Sequence, residues 1–164
     1  MNTIKINKHN SKVLKWLQSA VSKDKNRPVL TGINANENLA TCDGLRLHIV
    51  HQDELIELPE GLRDYGKIPA SGIIEVPDVI EGQFPDVLQV IPRKEPVLEI
   101  AINSKFLIDT LKGLDSMAIL KFHGANEPME VLGNIKTTEG STPAYAMIMP
   151  ITLEMAKQEI DWKP

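Results

Sequence analysis

Seven basic side chains crowd into residues 5–27: Lys5, Lys8, Lys12, Lys15, Lys23, Lys25 and Arg27, with Asp24 as the sole acid. The segment carries a net +6 in a chain whose net charge is −4, which leaves −10 on the remainder. Such a cluster offers neutralisation of phosphates. Ammonium groups attract phosphate oxygens without base-specific geometry, and each contact releases condensed counterions. Lys8, Lys12, Lys15, Lys23, Lys25 and Arg27 are therefore the candidate DNA-binding residues. The plain alternative is a solvated helix face, which is what most lysine stripes are.

Other chemistries find less support. His9, His48, His51 and His123 form no metal-spaced cluster. His48 and His51 are three apart, and on a strand they point to opposite sides. The sequence contains no nucleophile elbow, no phosphate-cradling glycine loop and no Cys/His pair in a supporting context. Cys42 falls within an expected strand and reads as a small buried hydrophobe. The expectation is a binding protein, not an enzyme, with no metal and no cofactor.

The basic cluster needs a helix to organise it. Thr3 to Ile6 alternates like a short strand, and Asn10 and Ser11 offer N-cap side chains before a helical stretch over residues 12–22. On a helical wheel Val13, Leu14, Leu17, Ala20 and Val21 share one side, while Lys8, Lys12, Lys15, Ser19 and Lys23 share the other. Pro28 breaks the pattern. Residues 29–33 and 39–42 read as strands around the turn-prone segment 34–38. Asp43-Gly44 makes a second tight turn, and residues 45–50 form another strand.

Residues 52–96 are punctuated by proline and glycine but keep recurrent apolar positions, so they read as a connector with one strand at 72–76. The pattern then restarts. A strand is expected at 97–102, followed by a helix at 105–114 capped by Asn103-Ser104, with Phe106, Leu107, Leu111 and Leu114 inward. Strands follow at 117–123, 129–135 and 143–149. Asn10-Ser11-Lys12 and Asn103-Ser104-Lys105 stand 93 positions apart, and Leu14 matches Leu107, which suggests an internal duplication.

The 164 residues fit a single domain. Hydrophobic content of 42% and charged content of 24% suit a globular protein, and aromatics at 4% leave the core to Leu, Ile and Val. One cysteine allows no internal disulfide and no cysteine-based zinc site. With no signal peptide and no apolar run of membrane length, a cytoplasmic protein is expected, with no membrane partner.

Three stretches carry a resemblance. Arg27-Pro28-Val29-Leu30-Thr31-Gly32 precedes Ala40-Thr41-Cys42-Asp43-Gly44-Leu45-Arg46-Leu47. Gly82-Gln83-Phe84-Pro85-Asp86 is followed by Val90-Ile91-Pro92. The third runs Ala144-Tyr145-Ala146-Met147-Ile148-Met149-Pro150-Ile151-Thr152-Leu153. In this order they resemble the bacterial DNA sliding clamp family, the beta subunit of the replicative polymerase. The resemblance covers most of residues 1–153, with 154–164 as a C-terminal extension.

It implies an α+β, DNA-clamp-like domain of two strand–helix–strands halves, about 1–76 and 97–153, with antiparallel sheets and one helix per half. It further implies a processivity or tethering factor that holds double-stranded DNA by its backbone. Members of this family join three such domains per chain and close a ring from two chains, and related clamps join two and use three chains, so a ring of one-domain chains would take about six copies as a homo-oligomer. Leu45, Arg46, Leu47, Met147, Met149, Pro150, Ile151 and Leu153 match the elements that line the family's partner-peptide groove. They are the candidates for receiving a short linear peptide from a DNA polymerase or clamp loader. Leu45 stands where the family usually has histidine, and Thr152 where it usually has arginine. Gln158-Glu159-Ile160-Asp161-Trp162 is similar to clamp-binding peptides, although a frayed terminus is the plainer expectation. The other reading of the whole chain is a clamp-derived interaction module that binds a replication protein without encircling DNA.

Overall fold

In the computed structural model, which describes residues 3–52 and 56–160, strand β1 (Thr3–Ile6) leads directly into helix α1 (Lys8–Gln18). The helix starts one turn earlier than the sequence pattern suggests, because Asn7 and not Asn10 is the N-cap. The Asn7 side chain accepts from the N–H groups of His9 and Asn10, at 2.8 and 3.0 Å. Asn10 in turn takes the Asn7 N–H at 2.8 Å, completing a capping box. Ser11 is inside the helix, where its hydroxyl donates to the Pro69 carbonyl at 2.6 Å.

Of the residues expected as a strand at 29–33, only Ile33 is in one. Pro28 fixes φ and lacks an N–H, which suits the first position of the 3-10 turn Pro28–Leu30. The meander follows as β2 (Ile33–Ala35), β3 (Asn38–Cys42) and β4 (Leu47–His51). With β5 (Gly61–Arg63) they form an antiparallel sheet in the order β4-β3-β2-β5, with β4 at one edge. Strand β1 pairs separately with β6 (Gly72–Glu75), Thr3 facing Glu75. Gly32, just before β2, has no room for a side chain: a Cβ there would lie 2.6 Å from the Arg63 carbonyl oxygen.

The four-stranded sheet is covered on both faces. Leu39 joins Leu14, Leu17, Ile33 and Ala35 in the cluster under α1, whereas Ala40 joins Leu30, Leu62 and Phe84 on the opposite side. This is the period-two alternation of a strand between two layers. Residues 56–91 are built into this unit, for Ile56, Leu58, Leu62, Tyr65, Ile68 and Phe84 are all buried in its two clusters. They also contribute β5, β6 and a short helix α2 (Val87–Val90), more structure than a connector with one strand.

The chain divides into two compact units, Met1–Ile91 and Pro92–Pro164. In the second unit helix α3 (Ser104–Lys112) is capped as expected, with Asn103 accepting from the Lys105 N–H at 3.0 Å. Strands β7 (Ala118–Lys121), β8 (Met129–Thr137) and β9 (Gly140–Ile148) make an antiparallel meander in chain order. The expected strand at 97–102 is absent; only Ala101 pairs, with Ile151.

Leu107 and Leu114 pack on Met129, Val131 and Ile148, but Phe106 and Leu111 do not point inward and are exposed. A three-stranded sheet covers only a narrow stripe of the helix above it. A fourth helix, α4 (Leu153–Glu159), occupies the C-terminal extension, and Gln158 and Glu159, where a frayed terminus was expected, belong to it. Asp161 and Trp162 of the tail motif lie outside the described residues.

Candidate functional site

Helix α1 builds the basic face. Leu14 and Leu17 are wholly buried on its inner side, which turns Lys8, Lys12 and Lys15 to solvent. None of these lysines takes part in an ion pair among the described residues. The first turn of α1 holds no acidic residue, so the positive end of the helix dipole adds to the lysine field instead of being neutralised.

Lys23 and Lys25 are exposed in the segment after the helix. Arg27 goes elsewhere: its guanidinium lies across the Asp43-Gly44 turn, 2.9 Å from where a Gly44 Cβ would sit. The structure thus brings one candidate DNA-binding residue beside the first part of the candidate groove.

One surface feature of α1 has no counterpart in the lysine pattern. The Trp16 ring stacks on the His48 imidazole of β4, with centroids 4.1 Å apart and planes 12° from parallel. His48 Nδ1 lies 2.9 Å from the Trp16 carbonyl oxygen. A carbonyl only accepts, so Nδ1 carries the hydrogen. The same carbonyl accepts from the Ser19 hydroxyl at 2.7 Å. The available signal was Trp16 standing one helical turn after Lys12. His48 is 32 positions away, and only the fold brings it in.

At the second turn the Asp43 carboxylate holds the chain. One oxygen accepts from the N–H groups of Leu45 and Arg46, at 2.9 and 2.8 Å. The other takes the Arg46 guanidinium through Nε at 2.9 Å and Nη2 at 2.7 Å. Gly44 has φ of +92°, a conformation side chains avoid, and Leu45 stands 95% exposed at the tip. Arg46 is therefore committed to Asp43 and is not an open cation at a groove edge. Leu47 is half-buried at the start of β4.

The Leu45 N–H first, then the Arg46 side chain and N–H, pull the Asp43 pKa from 3.8 down to about 2. A folded pKa below the unfolded one adds stability above the unfolded value, and that contribution fades as pH falls through the folded value. An NMR titration is expected to show the Asp43 carboxyl changing near pH 2, with the turn ordered at pH 4 and loosened below 2. A midpoint close to the ordinary 3.8 would mean that the turn does not hold its carboxylate in solution.

The remaining groove candidates belong to the second unit. Met147 and Met149 are 60% and 63% exposed. With Ile148 they flank Phe106, Asp109 and Thr110 of α3 around an open pocket of about 430 Å³. Met side chains adapt to varied apolar ligands. Pro150 is half-buried, and the Ile151 N–H donates to the Ala101 carbonyl at 2.8 Å. Leu153 opens α4 and lines a different pocket, with Val97, Leu98 and Lys157. Five of the eight groove candidates therefore lie in one unit and three in the other, and Leu153 is set apart from the two methionines.

Elsewhere the chemistry is sparse. Among the described residues no group of three or more His, Cys, Asp or Glu side chains could hold a metal ion, and no helix is long and apolar enough to cross a membrane. Cys42 is half-buried, its sulfur accepting the Gly44 N–H at 3.3 Å. No family model matches the chain, and no curated protein matches it in sequence.

Proposed function

We propose that this chain is a clamp-like DNA tether, a non-enzymatic factor that assembles from several copies around double-stranded DNA and holds it through phosphate contacts. The observation that carries this reading is the outward face of α1, where Lys8, Lys12 and Lys15 are exposed and without acidic partners among the described residues. Encirclement needs only weak, sequence-independent contacts that let the protein slide, and a few free lysines supply that better than a deep basic cleft.

Two further observations support it. A helix followed by a three-stranded antiparallel meander occurs in both units. Strands β4, β7 and β9 are sheet edges, whose unpaired backbone groups are the ordinary means by which copies join sheet to sheet. A replication factor of this kind works in the cytoplasm.

The second reading, an interaction module that binds a polymerase or clamp loader through a short peptide, is favoured by the exposed Met147 and Met149 beside Phe106. Solution mass separates the two, together with retention on closed circular DNA against linear DNA of equal length. The tether is expected to be oligomeric and to stay on circles after a salt wash while sliding off linear ends. A stable monomer at micromolar concentration, equally retained on both DNAs, would exclude the ring.

A further inference from the structure

We propose that Trp16 and His48 form a stacking platform for an unpaired base, so that the α1 face takes single-stranded nucleic acid as a ligand in its own right. The inference rests on the nucleic-acid reading above and names a second class of ligand for the same helix. The imidazole of His48 takes one face of the indole, at 4.1 Å and 12° from parallel. Trp16 nevertheless keeps 49% of its surface accessible.

The pair is held in place. His48 is tied to the Trp16 backbone by its 2.9 Å hydrogen bond, so the imidazole stiffens the indole from behind. A tryptophan fixed in this way presents a flat π surface and gives up little side-chain freedom on binding. Lys12 lies one helical turn before Trp16, and Lys15 is its neighbour in sequence; both are exposed.

An exposed aromatic ring with an exposed lysine one helical turn away matches the combination that single strands require. A base stacks on the ring while the adjoining phosphates meet the lysines, and because every base has a π face the contact tolerates any sequence. Duplex interior bases are stacked on one another and offer no free face. The platform therefore adds nothing to duplex binding except at an end or a junction. A neutral or basic polypeptide is the less fitting occupant, since the segment that carries the ring holds seven cationic side chains and only one acid, Asp24.

Trp16 and Trp162 are the only tryptophans, so Trp162→Phe makes Trp16 the sole reporter. Titration with an oligo(dT) strand is expected to quench Trp16 emission, and a relaxed, covalently closed circular duplex, which has neither ends nor unpaired loops, is expected to leave it nearly unchanged. Trp16→Ala is expected to weaken oligo(dT) binding by about tenfold, with Trp16→Phe recovering most of the loss. His48→Ala, which keeps the indole but removes its backing, should give an intermediate loss, and it guards against a Trp16→Ala variant that fails to fold.

If the closed duplex binds through Lys12 and Lys15 while oligo(dT) neither quenches Trp16 nor responds to Trp16→Phe and His48→Ala, the platform is wrong and the tether stands. If neither nucleic acid binds, both fail. Loss of self-association in these variants with oligo(dT) affinity intact would mark the ring as a protein contact and overturn the inference.

Discussion

Lys12→Glu combined with Lys15→Glu is expected to abolish DNA association at roughly 0.15 M salt while leaving the protein folded. Both side chains are exposed, and neither is in an ion pair among the described residues, so removing them leaves no buried partner unsatisfied. Each lysine that meets a phosphate adds about one to the slope of log affinity against log salt. The milder pair Lys12→Ala and Lys15→Ala should therefore lower that slope by about two. Glutamate adds repulsion on top of the lost attraction.

Helix α3 provides the matched control. Lys105 and Lys112 share that region with Asp109 and Asp115, which makes it electrically neutral. The same double reversal there should have a small effect. Electrophoretic mobility or anisotropy over a salt series measures both. An unchanged affinity and slope in the α1 variant would remove the basic face from the DNA reading.

That face was legible in the sequence because one period governs both sides of α1. Leu14 and Leu17 recur at helical spacing and are buried, which fixes Lys8, Lys12 and Lys15 outward whatever the exact start of the helix. The start itself was not legible. Asn7 and Asn10 are both good caps by type, and only the reciprocal hydrogen bonds between them decide that Asn7 is the cap and Asn10 the N3 partner. In α3 the reverse holds: the Asn103 cap was legible, whereas of the four residues expected inward Leu107 and Leu114 pack against the core and Phe106 and Leu111 are exposed.

The misses have a common cause. Val29 and Leu30 look like strand residues, yet a proline at the first position favours a 3-10 turn. Residues 97–102 have strand composition, but a strand exists only where another pairs with it, and Ala101 alone finds a partner. Proline and glycine between 52 and 96 suggested a connector, while the folded chain uses its apolar residues as the floor of two clusters. The stacking of His48 on Trp16 and the commitment of Arg46 to Asp43 belong to tertiary placement and local turn chemistry, which composition does not display.

Leu17→Ala is expected to lower the stability of the first unit by about 2–5 kcal/mol, the range for truncating a leucine in a closed core. Leu17 has no accessible surface and packs with Leu14, Ile33 and Leu39 beneath the sheet. Its carbonyl accepts the hydroxyl of Thr41, which is also wholly buried, at 2.7 Å, tying the end of α1 to β3. Closing the cavity would require the helix end to shift against that bond and against the His48 contact with the neighbouring Trp16. Relaxation is therefore restricted, and the cost should fall in the upper half of the range. A domain of this size has about 5–15 kcal/mol in all, so the midpoint of a urea transition should move visibly. Leu111→Ala on α3 removes the same atoms from a residue that is 36% exposed, and should lose much less. If the two variants melt alike, the inward side of α1 is not anchored as described, and the outward direction of Lys12 and Lys15 loses its structural basis.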